Sequence, residues 1–98
     1  MLLMDERYFV YIITNYENTV LYTGITNNLQ KRIEEHKKGM SFSTKFRLPF
    51  ELAYFEGCKN IEDAKRRENY LKTTQGRRFL GLRLQEHKRH KTAFGSGS

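Results

Sequence analysis

Two short runs of aromatic and β-branched residues near the start of the chain constrain the fold most strongly. They are residues 8–13 and 20–23, and the polar segment 14–18 separates them. Residues of these types favour strands, and a short polar segment between two strands favours a hairpin turn. Gly24 ends the second run, where the backbone needs either a positive φ or a close approach to another group. The sequence therefore predicts a β-hairpin.

Length and charge restrict the domain organisation and the partners. The chain has 98 residues, enough for one small domain, which we assign to residues 1–91, with a flexible tail at residues 92–98. Eighteen Lys and Arg residues against eleven Asp and Glu residues give a net charge of +7. This charge favours a polyanionic partner such as nucleic acid or an anionic surface. Many small basic proteins bind no polyanion, so charge alone does not decide.

Apolar patterning and cysteine content indicate the compartment. The purely apolar runs are only a few residues long, too short for a membrane span, and Asp5 and Glu6 come too early for a signal peptide. Cys58 is the only cysteine, which excludes an internal disulfide and a multi-cysteine zinc site. We expect a cytoplasmic protein that does not bind membranes.

A first helix is predicted over residues 29–38, between N-cap candidates at residues 26–28 and a C-terminal Lys-Lys-Gly. Its apolar stripe is short, and two polar side chains continue it. The stripe consists of Leu29, Arg32, Ile33 and His36. The helical period therefore turns a guanidinium and an imidazole toward the sheet. The alternative is an arginine whose stem packs while its charged head reaches water.

A long connection and a third strand follow. Residues 39–49 contain hydroxyl groups beside Lys45 and Arg47, a combination that suits phosphate oxygens, although the segment could equally form a packed helical turn. Residues 50–55 have the composition of a strand.

The second helix is predicted to start at Asn60, with Asp63 completing a capping box. Its apolar stripe consists of Ile61, Ala64 and Leu71. Glu68 occupies the remaining position of this stripe, and a carboxylate there needs a cationic partner to offset its desolvation. That partner is either a divalent ion or Arg32 in a structural salt bridge.

A last helix is predicted within residues 77–90, separated from the second helix by Gly76. Its apolar side chains can dock on the core. Arg77, Arg78 and further basic residues form either a strip that faces phosphate or a solvated basic face.

These residues together resemble the GIY-YIG nuclease superfamily. Phe9-Val10-Tyr11 is followed, after ten intervening residues, by Tyr22-Thr23-Gly24, then by Arg32 ten residues beyond Tyr22 and by Glu68 in a later helix. More narrowly, the chain is similar to small stand-alone bacterial members that resemble the nuclease module of the excision-repair endonuclease. The resemblance covers about residues 8–71. Phe9 stands where the name motif has its first glycine, and Thr23 where it has its second isoleucine.

The resemblance implies an α/β domain of the α+β type, with a three-stranded antiparallel sheet flanked by helices in the order β-β-α-β-α-α. It implies cleavage of phosphodiester bonds with one divalent ion, Mg²⁺ or Mn²⁺. It assigns Glu68 to the metal, Arg32 to the scissile phosphate, Tyr11 and Tyr22 to the attacking water, and His36 to an indirect role. Nucleic-acid contacts are expected at Gly24, Lys45, Arg47, Arg77 and Arg78.

Two function hypotheses remain open. The first is a metal-dependent DNA endonuclease of low sequence specificity, with a link to DNA repair that the resemblance implies. The second is a nucleic-acid-binding or partner-recruited module that keeps the fold but cuts poorly alone. The intact set of site residues favours the first. Of the two tyrosines, Tyr11 is the preferred proton acceptor, and we expect a monomer or a weak dimer.

Overall fold

The computed structural model describes residues 7–15, 21–39 and 50–87. Its elements in chain order are β1 (Tyr8–Asn15), β2 (Leu21–Thr26), α1 (Leu29–Lys37), β3 (Phe50–Cys58), α2 (Ile61–Leu71) and α3 (Thr74–Arg83). The predicted order β-β-α-β-α-α is confirmed. Lys45 and Arg47 lie outside the described residues. Within the ranges just given, no helix is long and apolar enough to cross a membrane.

The three strands form one antiparallel sheet in the order β2-β1-β3. The central strand β1 has a run of five buried residues, so both of its faces are covered. Its aromatic and β-branched composition suits such a position. Tyr11 pairs with Gly24 on one side and with Phe55 on the other. The motif tyrosine of β1 therefore lies at the centre of the sheet.

Successive residues of β1 point to opposite faces of the sheet and into two separate cores. Val10 and Ile12 pack with Ala64 and Leu71 of α2 and Leu80 of α3. On the other face Tyr11 and Ile13 pack with Phe50 of β3, and Leu29 and Ile33 of α1 cover them. The sheet is thus sandwiched between α1 on one face and the pair α2 and α3 on the other. Tyr11 belongs to the α1 face.

Asparagine side chains start the first two helices. The Asn28 side chain accepts a hydrogen bond from the Lys31 backbone N–H at 3.1 Å, and the Asn60 side chain accepts one from Glu62 at 3.0 Å. Both are N-caps, as predicted. The carboxylate of Asp63, expected to complete a capping box, accepts from Arg66 at 2.9 Å. A charged neighbour one turn away on the same helix therefore engages it.

The prediction that Gly76 separates the last two helices is wrong. Thr73 is the N-cap of α3 and accepts from the Gly76 backbone N–H at 3.0 Å, so Gly76 lies in the first turn of that helix. A Cβ atom at this position would overlap the carbonyl oxygen of Tyr70 and lie 2.6 Å from the Cα of Leu71. The glycine is required because the start of α3 passes directly against the end of α2.

We expect Gly76→Ala to destabilise the fold by about 2–3 kcal/mol, because overpacking against backbone outweighs a gain of about 1 kcal/mol in helix propensity. For a domain of this size the melting temperature should fall by roughly 10 °C. Gly81→Ala is the matched control, since Gly81 is in the same helix but borders a cavity. A Gly76→Ala protein as stable as the Gly81→Ala control would contradict the crowding.

Candidate active site

A chain of three hydrogen-bonded side chains joins α1 to the central strand. Arg32 donates from Nε to the Tyr11 hydroxyl at 3.1 Å, and that hydroxyl lies 3.0 Å from Nε2 of His36. Arg32 and His36 are one turn apart on α1, so the helical period brings both onto Tyr11. The prediction that α1 turns both groups toward the sheet is confirmed: His36 is 1% exposed and Arg32 is half-buried.

Burial sets the protonation states of Tyr11 and His36. Desolvation raises the pKa of Tyr11 above its usual value of 10.0, although the hydrogen bond from Arg32 opposes the change. Desolvation also lowers the pKa of His36 below 6.5, and the charge of Arg32 lowers it further. Neutral Tyr11 thus accepts from Arg32 and has its own proton to donate to neutral His36, an orientation that we assign from the hydrogen-bond pattern.

Arg32 is held by an acidic residue of the same helix. Glu35 is half-buried, and its carboxylate pairs with the Arg32 guanidinium at 3.0 Å. The hydrogen bond to Tyr11 contributes most to raising the pKa of Arg32, and hydrogen bonds to Glu35 and Tyr22 add to it. The spacing of three residues between Arg32 and Glu35 is the pattern that could have revealed this pair.

Tyr22 and Gly24 complete the wall around Tyr11. The Tyr22 ring centroid lies 5.2 Å from that of His36 and 6.3 Å from that of Tyr11. Gly24 does not have a positive φ; a Cβ atom at this position would lie 2.5 Å from the Tyr11 hydroxyl oxygen. Of the two reasons considered for this glycine, the close approach is therefore the right one. Only glycine leaves room for the Tyr11 hydroxyl.

The two departures from the name motif both have local explanations. Phe9, in place of a glycine, packs edge-on against Phe55 of β3 with ring centroids 6.2 Å apart. Thr23, in place of an isoleucine, is buried and accepts a hydrogen bond from Arg77 of α3 at 3.2 Å. Thr23 lies between two residues of the α1 face, so its side chain points to the opposite face.

Glu68 lies on α2 with its side chain 21% exposed and pairs with Lys72 at 3.1 Å, one turn along the same helix. Of the two partners considered for Glu68, the structure does not form the bridge to Arg32, because Lys72 and Glu35 supply the partners of these two charges. The charge of Glu68 is the smallest of the influences on the raised pKa of Tyr11, after burial and the closer charges. Four of the predicted catalytic residues, Tyr11, Tyr22, Arg32 and His36, are gathered on the α1 side of the sheet, whereas the fifth, Glu68, is carried by α2.

The donor set beside Tyr11 fits a hard cation with few protein ligands. Among the described residues no three His, Cys, Asp or Glu side chains form a metal-binding group. The half-buried carboxylate of Glu68 supplies oxygen donors, and Mg²⁺ commonly takes one or two carboxylates and completes its shell with water and phosphate oxygens. Glu68 is the residue that would hold such an ion.

Three of the predicted nucleic-acid contacts, Gly24, Arg77 and Arg78, lie within the described residues, and they do not share one face of the sheet. Gly24 lies against the Tyr11 hydroxyl. Arg77 is half-buried on the face opposite Tyr11, while Arg78 is exposed on the same helix.

The lowered pKa of His36 predicts how stability depends on pH. The unfolded chain binds a proton at His36 more readily than the folded chain does. The free energy of unfolding is therefore unaffected by this histidine above about pH 6.5 and falls as the pH drops below that value. The slope can reach about 1.4 kcal/mol per pH unit. Urea unfolding between pH 7.5 and 5 should show this loss, and His36→Gln should reduce it. An unchanged slope in the variant would contradict the assignment.

A small α+β domain gathers an arginine, two tyrosines and a histidine on one face of a three-stranded sheet, and the family comparison assigns it to a nuclease-type class. The GIY-YIG catalytic domain matches residues 7–83, which include every element of the structure. This chain belongs to the GIY-YIG family.

Small bacterial proteins are among the relatives. A UPF0213 protein of Clostridium perfringens is 45% identical over 65 residues, covering 65% of this chain and 69% of its own length. One of Oceanobacillus iheyensis is 39% identical over 84 residues, covering 85% of this chain and 94% of its own. The comparison with solved structures gave no significant match. The resemblance to stand-alone bacterial members is confirmed.

Proposed function

We propose that this chain is an endonuclease that hydrolyses phosphodiester bonds in DNA with low intrinsic sequence specificity, using one divalent ion, Mg²⁺ or Mn²⁺. The observation that carries the proposal is the Arg32–Tyr11–His36 hydrogen-bond chain with Glu68 as its electrostatic neighbour. A cytoplasmic location, which rests on the short apolar runs and the single cysteine, and a role in DNA repair, which rests on the family resemblance, belong to the same proposal.

Arg32 is the group that binds the scissile phosphate. Its guanidinium has five N–H donors, and Tyr11, Glu35 and Tyr22 engage only part of them. The remaining donors can bind the non-bridging oxygens, where charge accumulates as water attacks phosphorus. The pair with Glu35 fixes the orientation of the guanidinium, so little reorganisation is needed during the reaction.

Tyr11 and His36 provide a path for the proton of the attacking water. A neutral phenol with a raised pKa is a poor base by itself. Tyr11 can accept the water proton only as it passes its own proton to Nε2 of His36, which is 3.0 Å away. A new bond then forms from the water oxygen to phosphorus, the bond to the leaving oxygen breaks, and that oxygen takes a proton from solvent. Tyr22 orients the water in this scheme.

Glu68 is the metal ligand in this proposal. A divalent ion supplies charge for the phosphate oxygens and lowers the pKa of water bound to it. In the structure the Lys72 ammonium pairs with this carboxylate. The Lys72 side chain is 50% exposed, so it can move away when an ion binds.

The basic side chains hold the substrate. Phosphate contacts from Lys45, Arg47, Arg77 and Arg78 carry no base information, so affinity for DNA should fall steeply with salt and vary little with sequence. The net charge of +7 supports this expectation. Binding isotherms at several salt concentrations measure it. An affinity that is insensitive to ionic strength would remove the phosphate-contact proposal.

The second candidate is a nucleic-acid-binding module with little activity of its own. The Lys72–Glu68 ion pair favours it, because this pair occupies the proposed metal ligand. One experiment separates the candidates: incubation of supercoiled, linear and branched DNA with Mg²⁺, with Mn²⁺ and with EDTA. Metal-dependent cleavage that EDTA abolishes supports the endonuclease. Binding without cleavage under all metal conditions supports the module.

A further inference from the structure

A cavity of about 70 Å³ lies between the sheet and α3, on the side of the sheet that faces away from Tyr11. Leu21, Leu80 and Leu84 form its apolar wall, and Arg77, Thr14 and His87 contribute polar groups. It has room for several waters or a small tetrahedral anion, since about 10–15 Å³ of such volume suffices for one water.

Arg77 is a half-buried cation whose hydrogen-bonding partner is a neutral hydroxyl group. Its guanidinium donates to the Thr23 hydroxyl at 3.2 Å, and among residues 7–15, 21–39 and 50–87 it forms no ion pair. Arg32, Arg66 and Arg67 each pair with a carboxylate. A charge withdrawn from water is costly unless it is paired. Burial accordingly lowers the pKa of Arg77, as it would for a guanidinium with no anion beside it.

The cavity wall also contains the buried polar residue Thr14. Thr14 is 1% exposed, and its hydroxyl forms no hydrogen bond within the described part of the chain.

We propose that this cavity is an oxyanion-binding site in which Arg77 and Thr14 hold a phosphate group. The planar guanidinium fork matches two phosphate oxygens, and a threonine hydroxyl can turn to donate to a third. The leucine wall limits water, which strengthens the attraction between the charges. The site lies on the opposite face from Tyr11, so it is separate from the proposed scissile-phosphate site and does not depend on nuclease activity.

The test uses the full chain and inorganic phosphate at constant ionic strength. Backbone amide NMR signals of Gly81 and Leu84, which border the cavity, should shift in a saturable manner. Arg77→Gln should weaken phosphate binding by about tenfold or more, the effect of losing a charge-assisted hydrogen bond. Arg83→Gln is the matched control, since it removes the same charge from an exposed residue of α3 and should preserve the binding.

A second variant keeps the test decisive if Arg77→Gln does not fold. Gly81→Leu places a side chain at the cavity while retaining the guanidinium, and it should abolish the saturable response. Shifts in the wild type that do not saturate, or an equal loss of binding in Arg83→Gln, would overturn the site and indicate general charge screening.

A short DNA duplex distinguishes the two sources of phosphate. If the natural occupant is a backbone phosphate, the duplex should compete with inorganic phosphate at the Gly81 signal, and Arg77→Gln should weaken DNA binding more than Arg83→Gln. If the occupant is a small phosphate compound, the duplex should not compete, and the two variants should weaken DNA binding equally. Both patterns support the site.

Discussion

Replacing Glu68 with glutamine is expected to abolish metal-dependent DNA cleavage and to leave the fold intact. Loss of the only proposed carboxylate ligand should lower the rate by at least about 10²–10³-fold, because the charge that stabilises the transition state is lost with the metal. The ion pair with Lys72 joins residues one turn apart on a partly exposed helix face, so its loss should cost less than about 1 kcal/mol. Cleavage assays and thermal unfolding measure the two effects.

Glu62→Gln is the matched control, since Glu62 is an exposed acid on the same helix that lies 4.0 Å from Lys65, three residues away. It should change neither activity nor stability appreciably. A Glu68→Gln protein that cleaves at the wild-type rate would remove Glu68 from the active site. A loss of roughly 3–5 kcal/mol, with the response to metal unchanged, would instead identify a buried structural charge.

Arg32→Lys is expected to separate catalysis from binding. Lysine keeps the charge, so much of the DNA affinity should remain, but it loses the planar fork that binds Tyr11, Glu35 and phosphate oxygens at once. The loss of one transition-state contact of this kind corresponds to a rate reduction of about 10²–10³-fold. Single-turnover cleavage at saturating metal and matched DNA occupancy measures it, alongside a binding isotherm.

Arg66→Lys is the appropriate control, because Arg66 pairs with Asp63 at the same spacing as Arg32 with Glu35 but is exposed. It should retain the wild-type rate. If Arg32→Lys also cleaved as fast as the wild type, Arg32 would not be a catalytic group, and the binding-module hypothesis would become the better one.

Local sequence patterns determined the elements and their order. The aromatic and β-branched runs predicted the strands, and the two asparagine caps predicted where α1 and α2 begin, because these preferences act over a few neighbouring residues. The helical period also placed Arg32 and His36 on the sheet side of α1. The set of candidate catalytic residues came from the order and spacing of the motif.

The tertiary structure decided which groups meet. Strand register set Gly24 against the Tyr11 hydroxyl, and the approach of α3 to α2 required glycine at position 76. Glu68 was expected to pair with a metal or with Arg32, yet Lys72 on its own helix engages it. The partner of a charged group depends on which opposite charges the packed fold brings within reach. These charges can come from the same helix or from elements that are distant in the sequence. Periodicity shows which face a side chain takes, but only packing in three dimensions fixes its distance to every possible partner.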